Sequence, residues 1–132
     1  MLIGRRVLVT GAAQGIGAAI AEGLAKAGAD IVIADLPAQR DTARAAMAAI
    51  KSHGPKASFV GMDVTDKASV ATGVAAAGDI DTLVNNAGIL APSRLEDLDE
   101  ASWQELFDIN ARGVLLQRRP AADARPQVWP GD

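Results

Sequence analysis

The stretch TGAAQGIG, Thr10 to Gly17, most constrains what this chain can fold into. It follows the apolar run Val7-Leu8-Val9 and opens a segment in which Ile16, Ile20 and Leu24 recur at four-residue spacing. A short continuous apolar run reads as a strand covered on both faces, and the four-residue recurrence reads as the apolar stripe of a helix. Gly11 permits a sharp exit from the strand, Gly15 lets backbone approach a pyrophosphate, and Gly17 allows close helix–strand packing. The start of such a helix offers free N–H groups and a partial positive charge to an anion. The spacing is G-x-x-x-G-x-G, and an ordinary glycine turn before a helix is the plainer alternative.

Three further apolar runs follow: Ile31-Val32-Ile33, Ser58-Phe59-Val60 (the weakest) and Leu83-Val84. Helical segments are expected between and after them. The first runs from the glycine loop to Gly28, the second from Ala38 to Ser52, the third from Asp66 to Ala77, and the fourth from Ser102 to Leu116 with Leu106, Ile109 and Gly113 on one face. Strictly alternating strands and helices imply a three-layer, Rossmann-like α/β fold. Its sheet would be a partial, doubly wound parallel one of about four strands with flanking helices.

The chain has 132 residues, enough for one modest core. Hydrophobic residues make up 49%, but much of that share is alanine and only 3% is aromatic, so few large side chains anchor the interior. The net charge of −3 and the lack of any basic block beyond Arg118-Arg119 argue against nucleic-acid binding. No cysteine is present, which excludes disulfides and thiolate metal sites and fits a reducing cytoplasm; no metal site is expected. Arg5-Arg6 before Val7 loosely mimics a signal peptide, but the apolar run stops at Gly11, and no stretch approaches the ~20 apolar residues of a membrane helix. A soluble chain is expected.

Asp35 stands at the end of the second run, close to the ~20-residue offset at which an acid hydrogen-bonds a ribose 2′-OH. A carboxylate there repels a 2′-phosphate, no basic residue directly follows it, and Gln14 adds no positive charge, so NAD is expected over NADP. The alternative is a solvated acid at a strand end. Asn85-Asn86-Ala87-Gly88 after the fourth run could lie against a ligand at the carboxyl ends of the strands, or be a plain Asn-Gly loop. Asp63-Val64 could meet an adenine amine, or be a strand-end turn.

In order and spacing, TGAAQGIG, Asp35, Asp63-Val64, NNAG and Asn110 resemble the short-chain dehydrogenase/reductase family over Leu2 to about Leu116. The resemblance implies an NAD(P)-dependent oxidoreductase acting on an alcohol or carbonyl. It assigns Gly11, Gln14, Gly15, Ile16 and Gly17 to the phosphates, Asp35 to the adenosine ribose, Asp63 and Val64 to the adenine, and Asn86 and Gly88 to the nicotinamide-side ribose region. Asn110 would be the catalytic Asn that helps hold a water in the proton relay; outside that resemblance it is a polar break in a helix.

Members of the family are about twice this length, because a dinucleotide fold needs two βαβαβ halves. Their later part carries a Ser that polarises the substrate, and a Tyr-x-x-x-Lys whose Tyr passes the proton while the Lys lowers its pKa. This sequence has no tyrosine; Lys26, Lys51, Lys56 and Lys67 all precede the fourth strand, and His53 is expected far from the cofactor. No turnover is therefore expected from this chain alone, and an alcohol or carbonyl substrate enters only if the missing half is supplied. Residues 1–116 are expected to form the truncated dinucleotide-binding domain. Residues 117–132, with Pro120, Pro126 and Pro130, are expected to be a disordered tail. The Arg, Pro, Ala and Gly content of that tail suggests a frameshift at about codon 117, an idea that ends if no other reading frame of the gene encodes Tyr-x-x-x-Lys. The competing readings are a truncated oxidoreductase, an NAD-binding module without catalysis, and a piece that associates through its exposed fourth strand or fourth helix with a copy of itself or a full-length relative.

Overall fold

A computed structural model describes residues 1–90 and 92–117 of the chain; the expected tail, apart from Gln117, lies outside the described residues. Strands β1 (Arg6–Thr10), β2 (Asp30–Asp35), β3 (Ala57–Gly61) and β4 (Thr82–Val84) form one parallel sheet in the order β3-β2-β1-β4. Helices α1 (Gly15–Lys26), α2 (Ala43–Ser52) and α3 (Lys67–Ala77) connect successive strands, and α4 (Glu100–Phe107) and α5 (Gly113–Leu116) follow β4. This is the doubly wound α/β arrangement that the strand–helix alternation implied.

Side-chain alternation along the strands divides the interior into two cores. Val7, Val9, Ile31 and Ile33 pack beneath α1 and α2 with Ala21, Ala25 and Ile50. Leu8, Val32, Ala34 and Val60 pack on the other face with Val70 and Ala77 of α3, and with the partly buried Ile109 and Leu116. Each fully buried Val, Leu or Ile contributes about 1.5–3 kcal/mol, so β1 and β2 carry most of the apolar stabilisation. The outer strands are more open: Ser58 is exposed on β3, and Leu83 is 36% exposed on β4.

Three details depart from the sequence expectation. The deepest stripe of α1 is Gly17, Ala21 and Ala25, one position round from Ile16, Ile20 and Leu24. Small side chains let the helix axis approach the sheet, so Ile20 and Leu24 flank the contact and Ile16 is left 76% exposed. The second helix starts at Ala43 rather than Ala38, because Pro37 begins a separate 3-10 turn, Pro37–Gln39, in which the Gln39 N–H donates to Leu36 O at 2.8 Å. The fourth helix starts two residues early, at Glu100, where Asp99 caps it. It also changes pitch: a π segment, Asp108–Arg112, separates α4 from α5.

Candidate functional site

The chain steps from β1 to β2 to β3 in one direction across the sheet, and β4 then lies on the other side of β1. A reversal of this kind parts the loops at the strands' carboxyl ends and opens a crevice. Here the crevice lies between the glycine loop after β1 and the Asn85–Gly88 loop after β4.

Thr10 and Asn86 fasten these two loops to each other. Thr10 is 1% exposed; its Oγ1 accepts the N–H of Asn86 and that of Ala87, both at 3.1 Å, and donates to Val84 O at 3.4 Å. All three hydrogen-bonding positions of the hydroxyl are thereby used. Asn86 Nδ2 donates back to Thr10 O at 3.0 Å and Gly11 O at 3.2 Å. The glycines follow from this closeness. A Cβ on Gly11, whose φ is +64°, would fall 2.8 Å from Ala87 Cα, and one on Gly17 would strike Gly11 O, the Asn86 amide and Ala12 Cα. Gly17 thus accommodates the neighbouring loops as well as the sheet. Gly15, with φ of +63°, has open space where a side chain would be.

The start of α1 is uncapped. Gln14 makes no side-chain cap, no acid lies in the first turn, and the first bond of the helix is Ala18 N–H to Gln14 O at 3.4 Å. Among the described residues no protein acceptor meets the N–H groups of Gln14, Gly15, Ile16 or Gly17. The other face of the sheet differs. Asp66 caps α3 by accepting the Ala68 N–H at 3.0 Å, and Asp99 caps α4 by accepting the Ser102 N–H at 2.7 Å. The Ser102 side chain and backbone together hold the Asp99 carboxyl below its ordinary pKa.

A cleft of 350 Å³ is lined by Gly11, Gln14, Ile16, Gly17, Asp35, Asn86 and Gly88, so the fold gathers these seven predicted residues at one place. Leu36 and Gln39 complete the wall, and the sequence reading missed both. Their signal was Pro37, which turns the chain just after Asp35 and brings Gln39 back to the cleft. Thr10 was also missed as a contributor; a polar residue ending an apolar strand, just before a glycine loop, was its signal. Asp35 Oδ2 accepts the Ala13 N–H at 3.0 Å and its Oδ1 accepts the Leu36 N–H at 2.8 Å.

Gly15, Asp63, Val64 and Asn110 are not among the residues that line the cleft. Asp63 Oδ1 accepts the N–H of Thr65 at 2.9 Å and its hydroxyl at 2.6 Å, closing the turn after β3. Val64 is buried in the second core, where a Cβ on Gly113 would lie 3.0 Å from its Cγ2. Asn110 lies in the π segment and grips Ile89 at both ends of its amide: Oδ1 accepts the Ile89 N–H at 2.8 Å, and Nδ2 donates to Ile89 O at 3.0 Å. It therefore steadies the loop that follows β4. His53 caps the far end of α2 and meets Glu22 Oε1 at 3.0 Å, away from the cleft.

A larger hollow of 750 Å³ lies at the opposite end of the sheet, bounded by Arg6, Asp30 and Lys56 near the strand starts and by Lys51 at the end of α2. It contains no residue of either crevice loop, so topology and free N–H groups make the smaller cleft the candidate site. Among the described residues no helix is long and apolar enough to cross a membrane, and no three potential metal ligands cluster.

Sheet order and crevice define a doubly wound α/β protein of the Rossmann-like class. The chain belongs to the short-chain dehydrogenase family, whose model matches residues 5–124. It is 42% identical over 113 residues to L-2,3-butanediol dehydrogenase of Corynebacterium glutamicum, covering 83% of this chain and 44% of that protein. It is 41% identical over 119 residues to gluconate 5-dehydrogenase of Gluconobacter oxydans, covering 87% and 46%. A variant of a Serratia marcescens short-chain dehydrogenase/reductase superposes with a TM-score of 0.80 at 32% identity, covering 88% of this chain and 49% of the other. A blue fluorescent protein from a metagenomic library, solved in complex with NADPH, superposes with a TM-score of 0.78 at 33% identity, over 88% and 49%. The chain thus spans about half the length of the relatives it matches.

Proposed function

We propose that residues 1–116 form the dinucleotide-binding half of an oxidoreductase, preferring NAD to NADP, and that this chain does not by itself turn over an alcohol or carbonyl. The observation that carries the reading is the uncapped start of α1, where free N–H groups adjoin the cleft that holds Asp35. Those groups fit a pyrophosphate by hydrogen bonding and by the helix dipole. The Asp35 carboxylate fits a ribose diol and opposes a 2′-phosphate, and no Lys or Arg lines the cleft among the described residues to reverse that preference.

A bound nicotinamide would supply or accept hydride, and this chain's residues would bind and orient it. Proton transfer needs a separate donor. The sequence has no tyrosine, none of its four lysines lines the cleft, and the Asn110 amide is engaged by Ile89. The adenine role of Asp63 and Val64 would require the turn after β3 to present an edge to the cleft, and the relay role of Asn110 would rest on its backbone. Both roles belong to this proposal.

Fluorescence titration of the purified, monodisperse chain with NADH, with NADPH as the control, tests it. Saturable binding that favours NADH is expected. No binding by a folded chain would reduce the glycine loop to a structural turn. A second reading, association with a copy of itself, is favoured by the edge of β4, which no strand pairs among the described residues, and by Trp103 and Phe107. These rings stack at 4.1 Å and are 47% and 49% exposed on α4.

A further inference from the structure

We infer that Asp35 is a positioning residue for the glycine loop as well as a group that reads the ribose, so loop shape and cofactor choice depend on one carboxylate.

The loop between β1 and α1 turns through two positive-φ glycines, Gly11 and Gly15. Such backbone holds its shape only if its polar groups are fixed. On the β4 side, Asn86 fixes it through the Thr10 and Gly11 carbonyls. On the β2 side there are two ties: Gly11 N–H to Ala34 O at 2.8 Å, and Ala13 N–H to Asp35 Oδ2 at 3.0 Å. Ala13 is 3% exposed, and Asp35 is the sole acceptor that meets its N–H among the described residues. A buried N–H without a partner is costly, and a charged acceptor makes the stronger bond. Removing the carboxylate therefore releases the middle of the loop, directly before the free N–H groups of Gln14 and Gly15.

The brace and the ribose contact are compatible. Each Asp35 oxygen takes one backbone N–H, Ala13 on one and Leu36 on the other. A carboxylate has about four acceptor positions, so one on each oxygen stays open to a ribose hydroxyl. Changing cofactor preference at Asp35 consequently carries a structural penalty: Asp35→Ala loses NADH binding through both roles, and relief of 2′-phosphate repulsion is offset by the slackened loop. Selectivity then flattens through loss of NADH affinity, with no gain of NADPH affinity.

The cofactor half of this inference rests on the proposed dinucleotide site; the brace itself does not. Amide hydrogen exchange on the ligand-free full chain separates them. In Asp35→Ala the Ala13 amide is expected to exchange about tenfold faster or more, while the Gly11 amide, tied to Ala34, stays protected. In Asp35→Asn the side-chain carbonyl oxygen can still accept one N–H, so Ala13 protection is expected to be largely kept even if the alanine variant does not fold. Unchanged Ala13 protection in a folded Asp35→Ala chain, or its full loss in a folded Asp35→Asn chain, overturns the brace. NADH and NADPH titrations of the same variants then read the second half. Weaker binding of both to Asp35→Ala, with NADH partly rescued by Asp35→Asn, supports it. NADPH binding tightened above wild type in Asp35→Ala overturns it. Failure of the wild-type chain to bind NADH would overturn the dinucleotide reading and leave the exchange result standing.

Discussion

At Gly17 a methyl group would land against the Gly11 carbonyl oxygen, the Asn86 amide and Ala12 Cα, and two of those three contacts are backbone. Neither can swing away, so Gly17→Ala is expected to lower stability by about 1–3 kcal/mol in urea denaturation, and to weaken NADH capture by separating the crevice loops. Thr10 makes a complementary point. Its hydroxyl serves two N–H groups of the β4 loop, and valine, of nearly the same shape, would leave both of these part-buried groups without that partner. Thr10→Val is expected to cost about 1–3 kcal/mol and Thr10→Ser much less, a difference that thermal melts of the pair would read. Equal melts would mean that water replaces the hydroxyl. Gly17, at the start of α1, and Thr10, at the end of β1, both meet the loop that follows β4.

Among the elements, α4 depends on pH through Asp99. The Ser102 hydrogen bonds hold its carboxyl below the ordinary value, so the stabilisation from the cap is complete above the unfolded-state pKa and is lost as pH falls through the lowered folded-state value. Nuclear magnetic resonance of the Ser102 amide across the acid range should show fraying at the start of α4, and Asp99→Ala should show it already at neutral pH. The elements also differ in how legible they were. The runs of β1 and β2 were plain because both faces are buried and the pattern is continuous. The stripe of α1 was read one position out, because hydrophobicity selects Ile16 while packing selects the residues small enough to lie against the sheet, Gly17 and Ala21. The π segment was invisible: it arises from the two-point hold of Asn110 on Ile89 and the seating of Gly113 against Val64, contacts between residues far apart in sequence. The glycine loop, Asp35 and Asn86 were legible as members of one cleft; Gln39 was not, since its place depends on the turn at Pro37.

Over the whole molecule, stability and exposure pull apart. Two buried strands are flanked by two open ones, and β4 contributes three residues, with one edge that no strand pairs among the described residues. An open edge beside exposed apolar residues favours association, which natural edges often counter with lysine. Leu83→Lys is expected to reduce concentration-dependent association in sedimentation velocity without altering the far-ultraviolet circular dichroism. If association persists unchanged, the contact lies on α4 instead, and Trp103→Lys becomes the variant that abolishes it. The register of β4 has one more consequence, in time. Val7 pairs with Thr82, and Asn86 bonds to Thr10 across 76 residues of chain, so the crevice closes only after a long loop has been gathered in. Local contacts can form α1 and α2 early, but they cannot assemble the cleft. In a stopped-flow refolding experiment, the slowest phase should therefore be the one in which NADH fluorescence first changes, so that ligand capture marks the end of folding.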